Sequence, residues 1–266
     1  MSDMFSGGAI FDDRSLKIAF LQDRPGAGIR DGFMRVLRSN VPDILAFPEY
    51  YFVNSDENSV LQSLSRRDEI ISRLGQWSRD LNCIIVGGSL AENDNGHNYN
   101  RSYLIDSGEV IGFYDKIHLY RNEGDGLITP GKEYKAFQAG KLKIGLMICA
   151  DVLYPDSFEK MRLYRPDLII VPTTSPYRPG ETREAKFARD NEIFAGGAAR
   201  ANSIIIKVSA SGSIIGHRLQ GRSLIASPGK ILWRIEPEDE DRSALVIATL
   251  SGDRQNPSLD IDVHWA

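Results

Sequence analysis

The chain has 266 residues, 42% hydrophobic and 26% charged, with 32 basic and 36 acidic side chains and a net charge of −4. That is the composition of an ordinary globular chain with room for one large domain or two small ones, and it presents no basic surface for nucleic acid or an anionic membrane. No apolar run is long enough to span a bilayer, residues 1–13 lack the basic and apolar regions of a signal peptide, and only two cysteines, Cys83 and Cys149, are present, so a reduced, cytoplasmic protein is expected.

Short β-branched runs alternate with helical periodicity along the chain. Strands are predicted at Leu16–Leu21, Ile44–Phe47, Cys83–Val86, Arg101–Ile105 and Val110–Tyr114, then at Lys143–Ile148, Leu168–Val171 and Ser203–Val208. Three more follow at Arg222–Ala226, Ile231–Ile235 and Ala244–Leu250. Helices are predicted at Ile29–Arg38, Arg66–Leu81, Ser157–Leu163 and Thr182–Ala201; in the second, Ile70, Ile71, Leu74, Trp77 and Leu81 share one face. Ser107-Gly108 and Pro228-Gly229 read as turns. No linker separates domains: residues 1–15 read as an extension and 16–266 as one domain. This mixture predicts layered α/β structure, two packed mixed sheets with helices outside.

Three reactive residues each close an apolar strand: Glu49 after Ile44–Pro48, Lys116 after Val110–Asp115, and Cys149 after Ile144–Ile148. Ligand sites in α/β folds gather at the carboxyl ends of strands, so if these strands lie side by side and run the same way, one pocket receives all three. A thiol attacks only as thiolate and needs a base or a cation beside it. Glu49 can take the proton, its carboxyl drawn toward the working range by a dry pocket, while Lys116 and the backbone N–H of Ala150 can hold an oxyanion. Singly, each has a blander reading: a buried small hydrophobe, a solvated carboxylate, a snorkelling lysine. Cys83, opening the run Cys-Ile-Ile-Val, reads as core.

Rival motifs are weaker. Gly87-Gly88-Ser89-Leu90-Ala91 approaches a serine nucleophile elbow, but an elbow opens a helix and Ser89 runs into Glu92–Gly96, read as a loop. Gly126–Lys132 has phosphate-loop spacing with Glu133 where a hydroxyl should bind Mg²⁺. His97, His118, His217 and His264 are too scattered for a zinc site.

Phe47-Pro48-Glu49, Asp115-Lys116-Ile117-His118-Leu119 and Cys149-Ala150-Asp151-Val152-Leu153-Tyr154-Pro155-Asp156 resemble the three signature blocks of the nitrilase superfamily, the carbon–nitrogen hydrolases, from about Leu16 to about Leu250. Thr129-Pro130-Gly131, Arg200-Ala201-Asn202 and Gly221–Gly229 resemble further family blocks. The resemblance implies a four-layer α-β-β-α sandwich, a Glu49–Lys116–Cys149 triad, and a second glutamate best matched by Glu123, with Asp125 competing for that register. It implies hydrolysis of a small amide or carbamoyl compound through a cysteine thioester, without metal or organic cofactor. Nitrile-cleaving members carry Trp-Glu after the cysteine; Ala150-Asp151 favours an amide. Substrate contacts are expected from Ala150, His118, Tyr50 and Tyr177, on loops at Tyr50–Asn58, Arg121–Gly131 and Thr173–Thr182, with Arg178 and Arg183 as readers of an anion. A homodimer through the Ser157–Leu163 and Thr182–Ala201 helices is a further implied expectation. The alternatives are a nitrile-hydrolysing member and a non-catalytic subunit on the same fold.

Overall fold

The computed structural model describes residues 15–26, 28–121 and 123–266; the expected extension lies, apart from Ser15, outside them. In chain order the elements are β1 (Leu16–Gln22), α1 (Asp31–Asn40), β2 (Ile44–Ala46), α2 (Arg67–Leu81), β3 (Ile84–Val86), β4 (Leu90–Asp94), β5 (His97–Asp106) and β6 (Glu109–Asp115). Then come β7 (Lys135–Ala139), β8 (Leu142–Leu146), α3 (Pro155–Arg162), β9 (Leu168–Thr173), α4 (Arg183–Asp190), α5 (Gly196–Ala201) and β10 (Ile204–Ser209). The chain finishes with β11 (Ser213–Ile214), β12 (His217–Arg218), β13 (Leu224–Ser227), β14 (Lys230–Arg234), β15 (Ala244–Ser251) and β16 (Ser258–Trp265).

One sheet has the order β16-β15-β1-β2-β3-β5, with β3 and then β4 along one side of β5 and β6 along the other. The second runs β14-β13-β10-β9-β8-β7. Each is parallel at its centre, β1-β2-β3 and β8-β9-β10, and antiparallel at its flanks. The period-2 alternation of β1 shows how the layers form. Ile18 and Phe20 join Ile144, Leu146 and Ile170 between the sheets, whereas Ala19 and Leu21 join Phe33, Leu37, Ile70 and Leu74 of α1 and α2 behind the first sheet. Phe158 and Met161 of α3, with Ala198 and Ala201 of α5, cover the second sheet. The result is an α-β-β-α sandwich of mixed sheets. Among the described residues, no helix is long and apolar enough to cross a membrane.

Four expectations change. Glu49 and Lys116 end strands of the first sheet, but Cys149 follows β8 of the second, so the three strands do not lie side by side; the site forms across the sandwich. Residues 90–94, read as running into a loop, form β4, which turns at Asn95-Gly96 into β5. The single helix expected over 182–201 is α4 and α5 joined by a π-helical turn at Asn191–Ala195, where Gly196 N–H reaches Asn191 O in the wider i→i+5 bond of a π turn. Finally, β7 and β16 were not anticipated; in β16 charged residues alternate with Leu259, Ile261, Val263 and Trp265, a half-exposed edge pattern.

Candidate active site

Glu49 is placed from below and from the side. Phe47, fully buried, stacks on Trp77 of α2 with ring centroids 5.6 Å apart, pinning the chain just before it turns. Across the turn lies Gly88, at φ +64, where a Cβ would stand 2.0 Å from Pro48 O; only glycine lets β3 end so close. Buried Ser89 secures the same turn, its Oγ accepting from Tyr50 N–H at 3.2 Å. Because Ser89 runs into a strand and not a helix, the serine-elbow reading falls.

Lys116 leaves β6 with its N–H on Asn100 O at 2.9 Å and its own carbonyl accepting from Gly131 N–H at 2.7 Å. A Cβ on Gly131 would lie 2.1 Å from Asp115 O, which explains the Thr-Pro-Gly turn after the lysine block. Cys149 has φ +43, a left-handed conformation that is rare for a residue with a Cβ. It turns the chain sharply out of β8 into a 3₁₀ turn, Cys149–Leu153, whose first N–H groups have no partner inside the turn.

Asp151 in that turn is fully buried. Its carboxylate accepts from Ile148 N–H at 2.9 Å and His118 N–H at 2.8 Å, and from the Tyr114 hydroxyl at 2.8 Å. One side chain therefore ties the cysteine turn of the second sheet to the lysine strand of the first.

The charged centre is closely knit. Lys116 Nζ donates to Glu49 Oε1 and to Glu123 Oε2, both at 2.7 Å. Asn100 Nδ2 bridges the same two carboxylates, at 2.9 Å from Glu49 Oε1 and 2.6 Å from Glu123 Oε1. Thr174 holds the other oxygen of Glu49 with its N–H at 2.8 Å and with its hydroxyl. Glu123 also accepts from the Tyr50 hydroxyl at 2.9 Å and Tyr120 N–H at 3.1 Å. The Cys149 thiol faces Thr174 O at 3.7 Å.

The charges follow from these contacts. Burial works against the Lys116 ammonium, but Glu49, Cys149 and Glu123 outweigh it and hold its pKa above the ordinary lysine value. Burial would raise the Glu123 carboxyl, yet Lys116 and three hydrogen-bond donors bring it below the ordinary value. The Cys149 thiol is pushed well up, first by burial and then by the negative field of Glu49, with Lys116 opposing only in part. Of the two means of activating a thiol that the sequence leaves open, a cation or a base, the site places both near Cys149, the Glu49 carboxylate and the Lys116 ammonium. Burial also raises the Tyr50 hydroxyl, with Glu123 and Glu49 adding to it, so Tyr50 stays a donor.

Glu49, Tyr50, Lys116, Glu123 and Cys149 open on a cavity of about 430 Å³. Ala150 lines a smaller neighbouring chamber that shares Cys149 as part of its wall. Asp125 stands on the large cavity's wall, and Glu123 is the one that meets Lys116. Three residues expected at the substrate lie elsewhere. His118 packs flat on Tyr154, centroids 3.7 Å apart, with its Nε2 3.0 Å from the Tyr134 hydroxyl, away from the cavity. Tyr177 lies on an outer shelf beneath Arg218, and Arg183 pairs with Glu236 and Glu238 on the surface. Ile214, Ile215, His217 and Leu219, from the β11–β12 hairpin and just beyond, form a cavity wall that sequence reading did not anticipate. Asn100, Thr174 and the tethering role of Asp151 were missed as well. Asn100, one residue before the predicted strand Arg101–Ile105, lies fully buried inside β5.

The family model for carbon-nitrogen hydrolases matches residues 34–254, and the chain belongs to that family. It is 29% identical over 195 residues to a nitrilase of Pyrococcus abyssi, covering 72% of this chain and 69% of the relative. It is 22% identical over 178 residues to a glutamine-dependent NAD(+) synthetase of Acinetobacter baylyi, covering 63% of this chain but only 33% of that protein's length. Among solved structures, an amidase from Nesterenkonia sp. superposes with a TM-score of 0.72 at 20% identity, covering 90% of this chain and 92% of the other; at that identity the likeness speaks to the fold alone.

Proposed function

We propose that the protein hydrolyses the C–N bond of a small amide through a Cys149 thioester. The observation that carries this reading is the convergence of Glu49, Lys116 and Cys149 on one buried cavity wall, with the charged pair 2.7 Å apart. Glu49 takes the thiol proton as Sγ attacks the carbonyl carbon, and the C=O electron pair moves onto oxygen. Lys116 Nζ and the Ala150 N–H hold that oxyanion. Glu49 passes its proton to the amide nitrogen, the C–N bond breaks, and ammonia or an amine leaves with the bonding electrons. Water then gives a proton to Glu49 and attacks the thioester, the C–S bond breaks, and sulfur recovers the proton. Glu123 and Asn100 position Lys116 and Glu49 throughout. An amide is preferred to a nitrile because Ala150-Asp151 replaces the Trp-Glu of nitrile-cleaving members, even though one relative bears the name nitrilase.

The test is ammonia release from short aliphatic amides, paired with intact-mass detection of an acyl adduct on Cys149 after acid quench. Turnover with a Cys149 adduct, and neither in Cys149→Ala, is the expected result. A protein that turns over no amide and forms no adduct is a non-catalytic relative, and the reading is lost.

A further inference from the structure

Next to the first cavity lies a second chamber of about 70 Å³. Cys149, Tyr120 and Pro176 belong to the walls of both, so a group bound in the chamber sits next to the carbon under attack. Its wall also includes Ala150, Ile193 and Phe194 of the π-helical turn, Lys207 of β10, Gln220, and the Asp190 carboxylate at the end of α4.

Two of these residues are unusual. Lys207 is only 5% exposed, and among the described residues its Nζ has neither a hydrogen bond nor an ion pair; Asp190 favours its charge from beyond ion-pair reach, and the Phe194 ring lies 5.4 Å away. The neighbouring carboxylates are committed elsewhere. Glu181 pairs with Arg189, Asp190 with Arg222 and Arg234, and Glu240 with Lys186 and Arg222. Gln220 is 1% exposed, and neither its Oε1 nor its Nε2 has a protein partner. Buried ammonium and amide groups left without partners are costly, and proteins keep such groups where a ligand completes them. The Arg178 and Arg189 guanidinium groups on the same wall add positive charge.

We propose that this chamber is an anion subsite, in which Lys207 Nζ and the Gln220 amide receive a carboxylate carried on the substrate close to the scissile amide. This rests on the amidase reading and narrows it to short amides bearing an acid group.

The experiment compares malonamate with acetoacetamide, which puts a neutral methyl ketone where the acid stands. Wild type favours malonamate by about tenfold or more in kcat/KM at pH 7, the scale of one charge-assisted hydrogen bond. Lys207→Met brings the ratio to about one, Lys207→Arg keeps part of it, and Gln220→Leu lowers it. The ratio also falls as pH rises through about 8: burial depresses the Lys207 ammonium to about 8, Asp190 and Cys149 favouring its charge and Arg222 and Arg189 opposing it. A ratio near one in wild type, or unchanged in Lys207→Met, overturns the subsite while leaving the amidase reading intact. Calorimetric binding of malonate to Cys149→Ala, against Cys149→Ala/Lys207→Met, separates the two claims. Lys207-dependent binding without amide turnover keeps the subsite and removes the proposed reaction; absence of both removes both.

Discussion

The protein's two cysteines sit in contrasting surroundings. Cys83, just ahead of β3, is walled in by the α2 cluster, and burial pushes its thiol up to about 12, with Asp43 and Asp106 adding to it. Cys149 is pushed up as well, by burial and by Glu49. Thiol acidity alone therefore does not distinguish them. What differs is the company: Cys149 lines a cavity and has both Glu49 and Lys116 beside it, while Cys83 sits in the apolar cluster behind the first sheet, with only the fields of Asp43 and Asp106 acting on it. On the proposed reaction, reactivity belongs to the arrangement and not to the sulfur.

The sharpest way to break this comparison is to remove each sulfur. Cys149→Ala is expected to lower kcat by about 10⁶-fold, the scale seen when a nucleophile is deleted, whereas Cys83→Ala should stay within about twofold of wild type in kcat/KM and cost about 1 kcal/mol in urea unfolding. Comparable activity losses in the two variants would dissolve the contrast. Glu49→Gln tests the base: kcat should fall by about 10²–10⁴-fold, and iodoacetamide labelling of Cys149, followed by peptide mass, should slow toward the rate of Cys83. Labelling that ignores the substitution would mean some other group takes the proton. Lys116→Met should reduce kcat by about 10²–10³-fold. It should also destabilise the fold by about 3–5 kcal/mol, since Glu49 and Glu123 then face each other without their shared cation; stability indifferent to the change would mean that the pair is not held as described.

The smallest effect is alkaline. Both thiols are raised in the folded state, so folding favours their protonated forms. That stability is complete below the unfolded thiol value near 8.5 and is lost as pH rises toward the folded values. Over that window each thiol should draw down stability by up to about 1.4 kcal/mol per pH unit. Urea midpoints at pH 8 and 10 should differ less in Cys83→Ala than in wild type.

Much of this candidate site was legible because reactive residues stand at the ends of apolar runs: Glu49, Lys116 and Cys149 each close a strand rich in apolar residues. The pairing of two sheets was legible too, from strands with no polar face beside helices with one. The site's spanning of both sheets was not, because strand order across a sandwich leaves no mark on local periodicity. Residues 90–94 were misread because Glu92, Asn93 and Asp94 look like loop chemistry; in the fold, Glu92 is buried against Arg67 and Tyr103. Asn100 and Thr174 act through contacts with Glu49, 51 and 125 residues away in sequence, beyond any local signal. His118 was expected at the substrate by its closeness to Lys116, but it is the chain's turn after β6 that carries its ring to Tyr154 and Tyr134.

The β11–β12 hairpin has a consequence of its own. Its two strands pair with each other and form a sheet separate from the other two, and its tip places Ile215 and Gly216 at φ 46 and 73, a left-handed turn that a β-branched residue adopts only at a cost. Yet Ile214, Ile215 and His217 line the cavity beside Cys149. On the proposed amidase reading, a wall that shapes the substrate space is built outside the two sheets that carry the reacting groups. Exchanging these six residues for another hairpin is a route to new amide preferences that leaves Glu49, Lys116 and Cys149 where they are.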